Sequence, residues 1–298
     1  MSEIQPVNTT YEPFSREPEY VEANRNFIQR QNLAEVRRFL DLACGTATVS
    51  ELLLAASPKA HLSGVDYDPQ QIELATAHLE SLGYTVRRGH ELTEDVVDGK
   101  PVCVLAVGSA DELPYPDESF DCVTIANAIH MMTERDKFLS GVARVLKPGG
   151  VFGFNSSFYA GTFPAGTEHW YQVWLQEALR YVDRMNEELK ASGQPPIRRV
   201  RGKTRAAFKA RWLSPQEWSE ALASHGLQPH DVNERRVMMD RRCMRAVGAY
   251  GGLAEVLMSG YPVEVASQAL QAAVDPAFES SEWDAIPKNW MEIWATKR

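Results

Sequence analysis

The sequence predicts an α/β fold, a mostly parallel sheet with helices on both faces. Three observations carry the prediction. Between residues 37 and 155, short apolar runs alternate with helical patterns, the rhythm of parallel strands joined by crossover helices. Two of the runs, 102–107 (VCVLAV) and 122–127 (CVTIAN), are apolar almost throughout, as strands buried on both faces are. The stretch 40–50, LDLACGTATVS, ends an apolar run in an acid, turns through small residues and opens a helix. That is how a strand hands over to a helix where open α/β sheets bind nucleotides.

In order along the chain, residues 1–36 hold Tyr11, Phe14, Tyr20 and Phe27 before and within a helical pattern over 20–36. This segment is either a lid over a site or a helix on the outside of the core. Residues 37–43 are the first strand. Gly45 lets the backbone turn tightly, and Ala43, Thr46 and Ala47 are small enough to leave its N–H groups approachable. The helix over 48–56 stops at Ser57-Pro58. A second strand, 60–66, again ends in an acid, Asp66, 21 residues beyond Gly45. An acid at that offset suits the hydroxyls of a ribose; the alternative is an ordinary turn or helix cap ahead of Pro69. Residues 70–81 are helical and Gly83 ends them. Residues 84–100 are polar and acidic and read as an excursion.

The strand over 102–107 leads into the loop 108–121, which holds two prolines, and then into the strand over 122–127. A helix spans 133–146, closed by Lys147-Pro148-Gly149-Gly150, and 151–155 is a fifth strand. From Phe158 the rhythm changes. Residues 167–192 form one long helical pattern with Trp170, Trp174, Ala178, Tyr181 or Val182, Met185 and Leu189 on one face. Seven basic residues follow, Arg198, Arg199, Arg201, Lys203, Arg205, Lys209 and Arg211, as a solvated face or an anion site. Ser214-Pro215-Gln216-Glu217 opens a helix with a capping-box pattern. A strand over 228–240, a helical insertion over about 241–286 and a last strand over 290–296 complete the chain.

Length and charge bound the function. A chain of 298 residues can bury a substantial core. The net charge is −9, but residues 1–150 carry 13 Lys+Arg against 23 Asp+Glu, while the second half is nearly balanced. The acidic first half speaks against a nucleic-acid surface. No apolar run reaches a membrane span, and the first residues lack the basic start and apolar stretch of a signal peptide. Cys44, Cys103, Cys122 and Cys243 form no C-x-x-C pair. Zinc binding and a disulfide framework are therefore not expected, no metal is assigned, and a reducing cytoplasm fits. A phosphate-binding G-x-x-x-x-G-K-[ST] is absent and G-x-G-x-x-G is incomplete.

Four blocks resemble class I S-adenosylmethionine-dependent methyltransferases, in the small-molecule branch that includes the ubiquinone and menaquinone biosynthesis enzymes. They are LDLACGTA at 40–47, GVDYDPQQIELA at 64–75, GSADELPYPDESFDCVTIANAIH at 108–130 and RVLKPGG at 144–150, in matching order and spacing over most of residues 37–157. The ending HGLQP…NWMEIWATKR is similar to the family's last helix and strands. The resemblance implies a Rossmann-like, seven-stranded, mostly parallel sheet with strand 7 antiparallel between strands 5 and 6. It implies that Asp41, Gly45 and Thr46 contact the methionine part of S-adenosyl-L-methionine, which leaves as S-adenosyl-L-homocysteine. Asp66 takes the ribose hydroxyls, Tyr67 lies beside the adenine and Ala110 offers it a backbone N–H. Ser109 stands where the family often has an acid for the adenine amino group, and Asp111 is the candidate replacement. The family often has Gly at 43 and 47, where this chain has Ala. Asn127 joins the cofactor-binding set.

The resulting organisation is an N-terminal helical lid at 1–36, a cofactor-binding core at 37–157, a helical substrate cap at 158–211 and a completion of the core at 212–298. Methyl transfer from a sulfonium is an in-line displacement, so alignment and exclusion of water come first, with a base where the acceptor loses a proton. Acceptor-facing residues come from the strand ends: Asn127, His130, Asn155, Ser156, Ser157 and the segment to Trp170. His130, Glu168 and His169 are the candidate bases. His130 is otherwise a structural hydrogen-bonding group, and Glu168 otherwise a helix N-terminal acid. The aromatic helix suits a small, hydrophobic acceptor methylated at carbon or oxygen, with prenylated or isoprenoid compounds among the candidates. Competing readings are a non-catalytic cofactor-binding scaffold, a nicotinamide-dependent oxidoreductase and a nucleic-acid methyltransferase. An oligomer is left open.

Overall fold

Strand β1 (Arg38–Leu42) lies inside an eight-stranded sheet in the computed structural model, which describes residues 10–200 and 211–298. Its neighbours are β2 (His61–Asp66) and β7 (Phe120–Ala126), both parallel to it. Beyond β2 come β6 (Cys103–Val107) and, at the edge, β3 (Val86–Arg88). Beyond β7 come β8 (Leu146–Ser156), β10 (Ile286–Lys297) and β9 (Leu227–Met239). Strand β10 runs antiparallel to β8 and lies between it and β9, the placement expected for the last strand. The expected seven strands are eight, because β3 pairs with β6 inside the stretch read as an excursion. That stretch also holds a two-stranded hairpin of β4 (Val96–Val97) and β5 (Lys100–Pro101). Asp98 and Gly99 turn it with φ of 50° and 78°, the left-handed pair that an Asp-Gly hairpin uses.

The helices in chain order are α1 (Glu12–Ser15), α2 (Pro18–Gln29), α3 (Thr48–Ala56), α4 (Pro69–Ser81), α5 (Arg135–Val145), α6 (Glu168–Ala191), α7 (Pro215–Ser224), α8 (Arg241–Ala249), α9 (Gly251–Leu257), α10 (Val263–Ala272) and α11 (Val274–Glu279). The helix expected over 20–36 ends at Gln29. Asn32 then uses its side-chain oxygen to accept the Ala34 N–H, a local bond that competes with helix continuation.

The chain divides into two units. The sheet unit comprises residues 21–162, 211–235 and 290–298. Its strands send alternate side chains to opposite faces, as the pleat requires. Leu40, Leu42, Val123, Ile125, Phe152 and Phe154 pack with Phe138, Leu139 and Val142 of α5 and Trp218 and Leu222 of α7. Phe39, Leu62 and Leu105 pack in a second cluster with Leu53 of α3, Ile72 and Leu79 of α4 and Phe27 of α2. The sequence reading took residues 1–36 as one segment, a lid or a helix on the outside of the core; by contacts, residues up to Tyr20 group with the helical unit and those from Val21 with the sheet unit.

The helical unit comprises residues 1–20, 163–210 and 236–289. Helix α6 buries Trp170, Trp174, Ala178, Val182 and Met185, so Val182 rather than Tyr181 faces the interior. Trp174 Nε1 donates to the Leu270 carbonyl at 2.8 Å, and the Trp170 ring lies 4.9 Å from that of Phe278. Arg201, Lys203, Arg205 and Lys209 of the basic run lie outside the described residues. Arg211 pairs with Glu217 at 2.5 Å, and Arg199 donates to the Ser259 carbonyl at 2.8 Å. No helix of the described residues is long and apolar enough to cross a membrane.

Candidate functional site

The turn after β1 alternates into the left-handed region: φ is 50° at Ala43, 53° at Gly45 and 66° at Ala47. Left-handed backbone at every second residue explains why small residues stand there, and why two alanines are strained. Three bonds fasten the turn. Cys44 N–H donates to the Val65 carbonyl at 3.1 Å, Ala47 N–H to the Cys44 carbonyl at 2.9 Å, and Gly45 N–H to Asp66 Oδ2 at 2.8 Å. Thr46 is buried, its Oγ1 lying 3.2 Å from Thr48 Oγ1.

Asp66 ends β2 and stands at the centre of this arrangement. Its Oδ1 accepts the Asp68 N–H at 2.9 Å, and its Oδ2 the Gly45 N–H. Desolvation pushes its carboxyl above the usual range, while these backbone bonds pull the other way. The Tyr67 N–H bonds the carboxylate as well, and a carboxylate's four lone-pair positions leave room for a further donor. The next residue, Tyr67, is 83% exposed, leaving a flat aromatic face beside the carboxylate. Asp68 caps α4 by accepting the Gln70 N–H at 2.8 Å.

Asp41, at the end of β1, is only 1% exposed. Ser50 donates to its Oδ2 at 2.7 Å and Thr124 to its Oδ1 at 3.0 Å. Desolvation raises its carboxyl to about 6 against these two bonds, with the Asp66 charge adding to the rise. The third segment follows β6. Gly108 N–H donates to the Asp66 carbonyl at 2.9 Å, and Ser109 Oγ accepts the Asp111 N–H at 3.2 Å. Ala110 is buried, and burial raises the Asp111 carboxyl. The structure thus brings Asp41, Gly45, Asp66, Tyr67 and the 108–111 turn together at the carboxyl ends of β1, β2 and β6.

At the ends of β7 and β8 the buried polar groups hold one another. Asn127 has φ of 49°, and its side-chain oxygen accepts from Ser157 N–H at 2.8 Å and Ser157 Oγ at 2.9 Å. Asn155 accepts the Asn127 N–H at 2.9 Å and donates to Asn24 Oδ1 of α2 at 2.8 Å. His130 Nδ1 lies 3.4 Å from Ser156 Oγ, and its ring is 4.3 Å from that of Phe158. Of the three candidate bases, His130 alone belongs to the sheet unit. Glu168 and His169 open α6 of the helical unit, both exposed, and Glu168 Oε2 accepts the Gly166 N–H at 2.8 Å.

Sequence reasoning missed Ser50, Thr124, Asn24 and Gln71. The first three are ordinary polar residues until strands and helices bring them together. Gln71 carried a signal: it occupies the buried face of α4 with Ile72, Ala75 and Leu79, where an apolar residue is expected.

Residues 40–154 match the family described as "Methyltransferase domain". The demethylmenaquinone methyltransferase of Symbiobacterium thermophilum is 30% identical over 130 residues, 43% of this chain and 46% of that protein. The ubiquinone/menaquinone biosynthesis C-methyltransferase UbiE of Geobacter sulfurreducens is 31% identical over 130 residues, 42% of this chain and 44% of that protein. The chain thus spans less than half the length of these two relatives. A putative methyltransferase from Bacillus halodurans shares the fold with a TM-score of 0.53 at 15% identity, covering 93% of this chain and 99% of that one. The chain resembles class I S-adenosylmethionine-dependent methyltransferases of the quinone-biosynthesis type: residues 40–154 match a methyltransferase domain in sequence, and the fold is one that a methyltransferase-like structure shares. Its site fits that cofactor: a carboxylate with spare lone pairs suits a vicinal diol, an exposed tyrosine ring suits a purine, and the buried oxygen Gln71 Oε1 has no partner among the described residues.

Proposed function

We propose that this protein is an S-adenosylmethionine-dependent methyltransferase acting on a small apolar acceptor at carbon or oxygen, prenylated compounds included. The observation that carries the reading is the clasp between Gly45 N–H and Asp66, with the left-handed turn on one side and exposed Tyr67 on the other. When bound, S-adenosylmethionine supplies an electrophilic methyl on a sulfonium. Asp66 orients the ribose, the Gly45 turn approaches the methionine part with backbone rather than side chain, and Tyr67 and Ala110 flank the adenine. The turn's close approach and the locked ends of β7 and β8 keep the acceptor side in register, which is the alignment that an in-line displacement needs. The acceptor's carbon or oxygen would form the new bond to the methyl group, with the sulfur as leaving group, and would give up one proton to a base. His130 takes that proton in this reading, oriented by Ser156, with Glu168 and His169 as the rival bases. Assignment of residues 158–211 to acceptor recognition, and a cytoplasmic location inferred from cysteine usage, belong to the same proposal.

Calorimetry of the full chain with S-adenosylhomocysteine and with NAD tests the cofactor. Binding of the first and not of the second is expected; the reverse makes the protein an oxidoreductase, and binding of neither removes the reading. Transfer of labelled methyl to demethylmenaquinone, the acceptor named by the relatives, comes next. His130→Ala is expected to lower kcat by about 10²-fold or more with S-adenosylhomocysteine affinity intact, and Glu168→Gln to leave kcat within tenfold. A protein that binds S-adenosylhomocysteine but transfers methyl to no acceptor is the non-catalytic alternative.

A further inference from the structure

The first turn of α6 buries two side-chain donors, Trp170 Nε1 and the Tyr171 hydroxyl, without a hydrogen-bond partner for either among the described residues. A buried donor left unmade is costly, and two on adjacent residues ask for a reason. The rings around them are packed: Phe163 lies 4.7 Å from Tyr171, Trp170 5.2 Å from Tyr171 and Phe278 4.9 Å from Trp170. Trp174, one turn on, places its indole N–H on the Leu270 carbonyl at 2.8 Å, so this core satisfies a donor where an acceptor is within reach.

A cation stands beside the pair. Lys288 Nζ is 5.7 Å from the centre of the Phe163 ring, the same ring that meets Tyr171. Desolvation pulls its ammonium down to about 8, and burial pushes the Tyr171 phenol up. Near neutral pH the lysine is therefore mostly charged and the phenol keeps its proton. Both groups feel Cys243, a buried residue whose thiol desolvation holds neutral. The carboxylates that act on that cysteine are engaged elsewhere. Glu17 and Glu19 pair with Arg242, each at 3.3 Å, and Asp240 caps α8 by accepting the Cys243 N–H at 2.8 Å. Phe163 is 44% exposed, which gives the cluster a face toward solvent. All of these residues belong to the helical unit.

We propose that this cluster is a carboxylate site: the Lys288 ammonium, the Tyr171 hydroxyl and the Trp170 indole N–H bind the carboxylate of a small organic acid whose apolar body lies against Phe163. The proposal rests on the methyltransferase reading above, under which that acid is the acceptor, and it narrows the acceptor's class. A carboxylate presents two oxygens with about four lone-pair positions, enough for all three donors, whereas a single phenol oxygen is not. An ammonium drawn out of water gains most from an ionised partner, through a charge-assisted bond that also repays its desolvation. The surrounding rings supply apolar surface for the rest of the ligand. The two unmade bonds weaken the resting protein and are made when the acid binds.

Calorimetry on the full chain compares three probes that share one ring and differ in head group: 1-naphthoate, 1-naphthol and 1-naphthylmethylamine. The unmutated protein is expected to bind the naphthoate at least tenfold more tightly than the naphthol, and the cationic amine not at all. Tyr171→Phe removes only the hydroxyl, and Lys288→Met keeps an unbranched apolar stem without the charge. Each is expected to weaken naphthoate binding by about tenfold or more, to leave S-adenosylhomocysteine affinity unchanged and to raise the melting temperature of the unliganded protein by a few degrees. A role in packing alone does not give opposite signs for affinity and stability. Naphthol bound as tightly as naphthoate, or naphthoate affinity unchanged in both variants, overturns the inference. A matching loss of S-adenosylhomocysteine affinity in the variants also overturns it, since the donors would then serve the cofactor. Failure of the unmutated protein to bind naphthoate while it binds S-adenosylhomocysteine overturns this inference alone; failure to bind S-adenosylhomocysteine overturns the methyltransferase reading and the acceptor role with it.

Discussion

Asp41 keeps a carboxylate out of water against two hydroxyl donors, Ser50 and Thr124. Its carboxyl is raised from 3.8 to about 6, a difference on the order of 3 kcal/mol. Between those two pH values the folded protein holds a proton that the unfolded chain has released. Stability therefore falls as pH rises through that window, and the whole cost is in place above about pH 6. Asp41→Asn removes the charge and keeps the shape. Urea unfolding at pH 4, 5, 6 and 7 is expected to show the variant gaining on the parent by up to about 3 kcal/mol across the window; a constant difference would mean that Asp41 titrates normally. At this scale the sequence was readable where one residue type answers one need. Gly45 and Asp66 stood out from a turn and an offset. Ala43 and Ala47 looked like departures, yet both adopt the left-handed backbone that glycine adopts more easily, so the turn is kept without the glycines. The partners Ser50 and Thr124 were not readable, because the Thr124 contact spans 83 residues of sequence.

At the scale of elements, the strand–helix alternation and its caps were legible because they rest on local chemistry. Helix α3 occupies the residues expected of it, and α7 opens on a capping box in which Ser214 and Glu217 exchange bonds at 3.3 and 2.9 Å. The 84–100 stretch was misread because β3 is short and its residues, Val86, Arg87 and Arg88, carry no apolar alternation; the Asp-Gly turn signal of the neighbouring hairpin was present and passed over. The pairing of β9 with β10 holds an element-scale feature that no local pattern announces. Glu292 on β10 is 1% exposed and accepts from Arg235 Nε at 2.5 Å and Asn233 Nδ2 at 2.8 Å, both on β9. Arg30, just beyond α2, lies 3.7 Å from the same carboxylate and binds Asp231 of β9 at 2.7 and 2.5 Å. Removing one partner leaves a buried charge short of its donors. Arg235→Met is expected to cost about 3 kcal/mol in denaturant unfolding, and adding Glu292→Leu to recover most of it, since the paired charges had to be desolvated together. Equal or additive losses in the double variant would show that packing, not the buried charge, sets the cost.

At the scale of the whole molecule, legibility followed the path of the chain. The sheet unit is mostly one run, residues 21–162; its strand–helix alternation could be read from the residues, and its antiparallel last strand from the family resemblance. The helical unit is gathered from 1–20, 163–210 and 236–289, and nothing local says that these three pieces share a core. Their joint core is nevertheless specific. Trp174 of α6 reaches across 96 residues of sequence to donate to Leu270 of α10, and α6 also packs on α11 through Trp170 and Phe278. A separate core implies a separate opening reaction, because units with their own buried contacts open with their own free energies. Trp174→Phe keeps an aromatic ring, loses the hydrogen bond and opens a small void, which together should lower the unit's stability by about 2 kcal/mol. Hydrogen exchange in the native state is expected to speed up by about thirtyfold in α6, α10 and α11 and to stay unchanged in β1 and β7. Acceleration that reaches β1 and β7 to the same extent would mean that the two units open as one cooperative block, and that the helical insertions are part of the sheet's own stability rather than a unit free to specialise for the acceptor.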